Sequence, residues 1–118
     1  MQYILLIYAS EAMQAKRSEA ENNAIFGGYM EYTNSIKQSG HYVGGEPLED
    51  TRSATTVRVK DGKALRTDGP FAETREQLGG YYVVEAKDLD EAVALAARIP
   101  DAKGGSIEIR PVMKIPGM

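Results

Sequence analysis

Two side chains in this sequence are suited to proton transfer, His41 and Asp68. His41 is the only histidine, and an imidazole exchanges protons near neutral pH. Asp68 precedes Gly69-Pro70, and the proline has no N–H for the usual Asx turn, so the carboxylate is free for another partner. We therefore predict that the two residues act together in a cleft as an acid/base unit, with Asp68 orienting His41.

Each of these residues also has a structural alternative. His41 follows the expected end of a helix, where an imidazole can interact with the helix dipole or lie at the surface. Asp68 can instead hold its own loop, by accepting a hydrogen bond from Phe71 N–H or by pairing with a neighbouring arginine. The sequence alone leaves both alternatives open.

Four further residues are candidate ligand-binding groups: Tyr8, Glu46, Arg52 and Glu73. The arginine fork suits a ligand carboxylate or phosphate, and a tyrosine offers an apolar body with a polar tip. Glu46 precedes Pro47 and either lines a cleft or lies in a turn. Arg52 is equally compatible with an exposed ion pair, which contributes less than about 1 kcal/mol to stability.

The composition excludes several kinds of site. The 118 residues include no cysteine and one histidine, so neither a thiolate metal site nor a multi-histidine site can form within one chain. Neither Gly44-Gly45 nor Gly79-Gly80 matches a dinucleotide or P-loop pattern, and we expect no cofactor and no metal. With 17 acidic residues, 14 basic residues and a net charge of −3, the chain lacks the basic footprint that nucleic-acid binding needs. The apolar run Tyr3–Ala9 is too short to span a bilayer, so we expect a cytoplasmic protein with no membrane partner.

Hydrophobic patterning and turn residues predict an α+β fold. Tyr3–Tyr8 and Tyr81–Val84 are continuous apolar runs typical of strands. Asp61-Gly62 between two alternating segments predicts a β-hairpin with a type I′ turn. The other expected elements are a helix within Ala15–Ser39 that contains Gly27-Gly28, a helical turn at Glu76–Leu78, a helix from Asp88 to Pro100 and a strand at Ser106–Arg110. This order predicts one domain, residues 1–118, built as a ferredoxin-like sandwich with an antiparallel sheet and two main helices.

The two apolar runs also predict an assembly. Two helices cover only one face of such a sheet, whereas both runs are expected to be covered on two faces. A second copy packed sheet to sheet supplies the missing cover. We therefore predict a homodimer.

The segment Asp68–Thr74 (DGPFAET), followed by Glu76–Tyr82 (EQLGGYY), resembles the YCII-related family and, within it, the branch named for its DGPF motif. Further matching stretches are Tyr3–Tyr8, Ser39–His41, Gly45–Leu48, Thr55–Asp61, Asp88–Pro100 and Ile107–Val112. The resemblance implies a ferredoxin-like fold that pairs into a dimeric α+β barrel with a cleft beside it. A site that uses a His and an Asp has been proposed for related proteins.

The expected function is that of a homodimer with a small-molecule cleft and cofactor-free acid/base chemistry on a small polar or aromatic compound. The alternative is a non-catalytic ligand-binding or regulatory module, because relatives that resemble this chain are often encoded beside alternative sigma factors. A third interpretation is an accessory dimer whose sheet serves assembly alone.

Overall fold

The computed structural model describes all 118 residues, which form six strands and three helices. The strands are β1 (Gln2–Ala9), β2 (Tyr42–Pro47), β3 (Thr55–Lys60), β4 (Lys63–Asp68), β5 (Gln77–Glu85) and β6 (Ser106–Pro111). The helices are α1 (Glu11–Gln14), α2 (Glu19–Gln38) and α3 (Leu89–Ala97), and short 3₁₀ segments lie at Thr51–Ser53 and Pro100–Ala102. None of the helices combines the length and the apolarity needed to cross a bilayer.

Four strands form the main sheet, in the antiparallel order β2–β5–β1–β6. The central strand β1 pairs with β5 on one side and with β6 on the other, so that Leu5 lies opposite both Tyr82 and Ile109. With α2 and α3 as the two main helices, this arrangement is consistent with the ferredoxin-like fold that the sequence predicts. β6, which ends at Pro111, is an edge strand, as expected for a strand that contains proline.

The core lies between the sheet and the two long helices. Burial alternates along β1: Tyr3, Leu5 and Ile7 are buried in the cluster that also contains Ile36 of α2 and Leu95 of α3, while the residues between them are half-buried. The helices therefore cover one face of the sheet. The second cover that the apolar runs predict is not provided by the chain itself.

Helix α2 begins and ends where local chemistry favours it. Ser18 and Glu21 form a capping box at its start, and Gly40 adopts a φ of 80° just beyond its end. Gly27-Gly28 does not break the helix. Gly28 lies against Pro100, where a Cβ atom would come within 3.3 Å of the proline Cγ, so this pair marks a close approach between α2 and the segment after α3.

Strands β3 and β4 form a separate two-stranded sheet, the hairpin predicted from Asp61-Gly62. Asp61 and Gly62 have φ values of 52° and 78°, which are the positive angles that a type I′ turn requires. The hairpin extends from the rest of the domain and makes it less compact. The radius of gyration is 16.3 Å, whereas a compact domain of this length has about 13.5 Å.

One local feature differs from the sequence-based expectation. The helical turn predicted at Glu76–Leu78 is wrong, because β5 already begins at Gln77 and Leu78 pairs with Tyr8 of β1. The segment after β1 forms the one-turn helix α1, which has no hydrophobic periodicity. This helix is held by its cap, since Ser10 Oγ accepts a hydrogen bond from Met13 N–H.

The glycines that precede β6 give a matched test of this packing. A Cβ atom at Gly105 would run into the Tyr8 carbonyl oxygen, whereas a Cβ atom at Gly104 meets nothing within 4 Å. We expect Gly105→Ala to lower the free energy of unfolding by about 2 kcal/mol or more, as overpacking does. Gly104→Ala should change it by less than about 0.5 kcal/mol. Urea denaturation of both variants measures the difference, and equal midpoints would contradict the close approach of Gly105 to β1.

Candidate functional site

A cleft of about 410 Å³ opens between α2 and the strands β1, β2 and β5. Its walls are largely apolar and aromatic, and include Ile7, Phe26, Tyr29, Met30, Tyr42 and Tyr82. A wider depression of about 740 Å³ lies along the C-terminal segment, but only six residues line it, from Met1 and Arg110–Lys114. The first cleft is therefore the candidate site, because it is concave and is walled by several elements.

Two glycines lie beside the cleft where β2 pairs with β5. A Cβ atom at Gly45 would lie 2.6 Å from the Tyr81 carbonyl oxygen, and one at Gly80 would lie 3.1 Å from the Glu46 carbonyl oxygen. Both positions line the cleft. The absence of side chains at these two positions lets the backbones of β2 and β5 approach closely.

Two tyrosines that line the cleft, the half-buried Tyr29 and the buried Tyr82, have hydroxyls that are hydrogen-bonded within the chain. Tyr29 of α2 donates a 2.6 Å hydrogen bond to Asp101 Oδ2, and Arg17 contacts the other carboxylate oxygen of Asp101 at 3.4 Å. The hydroxyls of Tyr82 and Thr33 are 2.6 Å apart. These bonds hold both rings in place and link α2 to β5 and to the 3₁₀ segment after α3.

Burial raises the pKa of each of these tyrosines. For Tyr29 the main cause is desolvation, and the hydrogen bond to Asp101 raises its pKa further. Desolvation also raises the pKa of Tyr82, against a smaller lowering by Thr33. Both hydroxyls are therefore neutral at physiological pH and present dipoles, not charges, to the cleft.

The rim of the cleft is acidic. Five carboxylates line it, Glu11, Glu46, Glu49, Asp50 and Asp101, and no Lys, Arg or His does. Glu11 accepts hydrogen bonds from Thr51 N–H at 2.8 Å and from Thr51 Oγ1 at 2.6 Å, which ties α1 to the segment after β2. Asp50 pairs with Arg52 at 3.0 Å, and this side-chain hydrogen bond lowers the pKa of Asp50. Glu46 makes no side-chain hydrogen bond and faces the solvent.

His41 lies outside the cleft, just before the first residue of β2. Its Nδ1 is 2.7 Å from Ser39 Oγ and its Nε2 is 3.2 Å from Glu91 Oε1. The same Glu91 oxygen accepts a hydrogen bond from Lys87 N–H at the start of α3. His41 thus connects the end of α2 with the start of α3. This position resembles the structural alternative for His41, in which the imidazole lies at the end of a helix.

Asp68 also lies outside the cleft and is the last residue of β4. It pairs with Thr55 in the hairpin and is exposed, and its carboxylate makes no hydrogen bond to Phe71 N–H or to an arginine. The start of the loop is held instead by Gly69, whose N–H donates to the Ala54 carbonyl at 2.7 Å. One chain does not bring His41 and Asp68 into contact, and their joint acid/base role stays a prediction.

Of the four predicted ligand-binding residues, only Glu46 lines the cleft. Arg52 is next to the rim, but its side chain is 90% exposed and is paired with Asp50. Tyr8 is half-buried on the opposite face of the sheet, and Glu73 is exposed in the loop after β4. The roles of these residues in binding stay predictions.

The sequence does not single out Tyr29 and Asp101 as a pair. Tyr29 belongs to the apolar stripe of α2, so its spacing predicts core packing. Asp101 follows Pro100, where helix α3 is expected to have ended, and no motif marks it. The hydrogen bond between them joins residues that are 72 positions apart, which only the folded topology reveals.

Comparison with known proteins identifies the family. The model of the YCII-related domain matches residues 1–116. The chain belongs to the YCII-related domain family. An uncharacterized protein of Rhizobium meliloti (strain 1021) is 32% identical over 114 residues, which cover 95% of this chain and 92% of that protein. Membership of the DGPF branch stays a prediction that depends on residues 68–74.

The buried tyrosines predict a loss of stability in alkali. Burial raises the pKa of Tyr32 to about 12, whereas an unfolded chain ionises tyrosine near pH 10. Above about pH 10 the unfolded chain therefore holds fewer protons than the folded chain, and the free energy of unfolding falls as pH rises. Tyr29 and Tyr82 act in the same direction.

Tyr32→Phe tests this dependence. The variant loses the 2.8 Å hydrogen bond to the Leu95 carbonyl, so we expect about 1 kcal/mol less stability at pH 7. Between pH 10 and 12 the free energy of unfolding should fall less steeply for the variant than for the wild type. The two slopes should differ by up to about 1.4 kcal/mol per pH unit. Urea denaturation at a series of pH values measures both effects. Parallel curves for the variant and the wild type would show that Tyr32 does not titrate in this range.

Proposed function

We propose that the protein is a cytoplasmic homodimer that binds a small, largely apolar or aromatic molecule in the cleft between α2 and the sheet. The observation that carries this proposal is the cleft of about 410 Å³ with aromatic walls. Its volume lies within the range of small-molecule sites, roughly 300–1,000 Å³. A few polar groups among apolar walls are also typical of such sites, because they orient a ligand that the walls bind.

The proposal adopts the ligand-binding alternative and not acid/base catalysis by His41 and Asp68. Neither residue lines the cleft, and the imidazole is held by Ser39 and Glu91. The polar side chains that line the cleft include those of Tyr29 and Tyr82, whose hydroxyls are neutral, and five carboxylates. These groups can orient and hydrogen-bond a ligand.

The uncovered face of the sheet supports the homodimer. Ile4, Leu6 and Val83 lie on this face, since each is half-buried and Ile4 pairs directly with Val83. The accessible surface of the chain is 8730 Å², whereas a compact monomer of 12.9 kDa exposes about 6,300 Å². The excess of about 2,400 Å² exceeds the roughly 800 Å² per partner that a standard interface buries.

Filling the cleft should abolish binding. Met30 lines the cleft and is 53% exposed, so Met30→Trp occupies the space without disturbing the core. With the neutral fluorescent probe N-phenyl-1-naphthylamine, we expect the affinity to fall at least about tenfold. Leu89→Trp is the matched control, because Leu89 is 54% exposed and lies outside the cleft; it should leave the affinity unchanged.

The same titration decides the place of His41. His41→Ala should bind the probe as the wild type does, because the imidazole is outside the cleft. Equal affinities for Met30→Trp and the wild type would overturn the proposed cleft. If His41→Ala lowered the affinity for the probe as much as Met30→Trp does, His41 would belong to the binding site.

A charge on the uncovered face should separate the two copies. In Leu6→Lys the new ammonium lies opposite Glu108, so a single chain tolerates it, whereas a second sheet packed on this face does not. We expect the wild type to sediment with twice the 12.9 kDa chain mass at low micromolar concentration. Leu6→Lys should raise the dimer dissociation constant about 100-fold or more. Val93→Lys, a substitution on the exposed surface of α3, is the control. A concentration-independent monomer mass for the wild type would contradict the dimer.

A further inference from the structure

The β3–β4 hairpin, here called the hairpin arm (Thr55–Asp68), pairs with no other strand of the chain. Every residue of β4 is exposed, and so are the apolar residues of β3, with Val57 59% and Val59 72% exposed. An isolated two-stranded hairpin is at best marginally stable in water. The arm therefore needs a surface to pack against that its own chain does not supply.

The charge of the arm differs from that of the rest of the molecule. It carries Arg58, Lys60, Lys63 and Arg66 against Asp61 and Asp68, in a chain whose net charge is −3. None of these four cations forms a salt bridge within the chain, where the four ion pairs involve other residues. The arm is thus a basic, partly apolar projection without a partner.

The cleft rim has the complementary charge. Asp50 and Asp101 have arginine partners, but Glu11, Glu46 and Glu49 form no salt bridge. Glu46 lies opposite Tyr81 and Gly45 lies opposite Tyr82. Because Tyr82 is buried against the helices, the alternation along the strands places Glu46 on the uncovered side of the sheet. A second copy on the uncovered face would adjoin this acidic rim.

We infer that the hairpin arm of one chain packs across the partner chain and brings Arg58 and Lys60 to the acidic rim of the partner's cleft, at Glu46 and Glu49. The six-residue strands make the arm roughly 20 Å long, enough to cross several strands of a sheet. Each cleft is then completed by cations from the second copy. This inference rests on the proposed homodimer. It adds that the hairpin arm is the segment that reaches the partner's cleft.

A charge-swap experiment tests the contact in the full-length protein. Arg58→Glu with Lys60→Glu should raise the dimer dissociation constant, measured by sedimentation equilibrium, about tenfold, because like charges then meet. Glu46→Lys with Glu49→Lys should do the same. The variant with all four substitutions should return to within about threefold of the wild type. A merely disordered arm would not be rescued in this way.

Matched controls separate this inference from the dimer itself. Lys87→Glu with Lys114→Glu changes the net charge equally but lies outside the arm, and it should leave the dissociation constant unchanged. If the wild type dimerises and both arm variants match it, the arm contact is wrong while the sheet-to-sheet dimer stands. A monomeric wild type overturns both. Retention of a random 20-base DNA strand by the wild type but not by the arm variants, with an unchanged dimer, would identify nucleic acid as the occupant and overturn the inference.

Discussion

The central strand β1 is apolar on both faces and hydrogen-bonded on both edges. The rest of the structure depends on burying both faces and pairing both edges of this strand. Its edges are taken by β5 and β6. On one face Tyr3, Leu5 and Ile7 are buried with the helices, whereas Ile4 and Leu6 are only half-buried. Burial of apolar surface contributes roughly 25 cal/mol per Å², so a second cover over these side chains stabilises an assembly. The proposed dimer follows from this imbalance between the two faces.

The same strand also shapes the cleft where it ends. Its register with β5 shifts between Ile7 and Tyr8, and the chain then turns into α1, whose Glu11 holds Thr51. That contact places the segment after β2 beside the sheet and forms one wall of the cleft. The opposite wall is α2, positioned by the hydrogen bond from Tyr29 to Asp101. The cleft is therefore a consequence of how the ends of the sheet are tied to its helices.

Local chemistry makes much of the fold predictable from the sequence. A type I′ hairpin turn requires positive φ angles at both central residues, and Asp61-Gly62 is a pair that tolerates them. Likewise, Asp88 caps α3 by accepting a hydrogen bond from Glu91 N–H, a signal that spans four residues. The candidate site is different, because its groups meet only through tertiary packing. His41 and Asp68 each have a distinctive local setting, but such settings carry no information about which distant residues become neighbours.

The edge strands of the sheet disfavour pairing with another chain, so they permit association through the face of the sheet. An uncovered strand edge is a template for pairing with other chains, and proline and charged residues block it. Strand β2 ends at Pro47, and strand β6 carries Glu108, Arg110 and Pro111. On the hairpin arm, the four cations disfavour edge pairing between two arms by like-charge repulsion. The apolar face and the side chains of the arm thus remain the routes to a partner. In the proposed dimer, the acidic rim is the surface where carboxylates offset the mutual repulsion of the arm's cations.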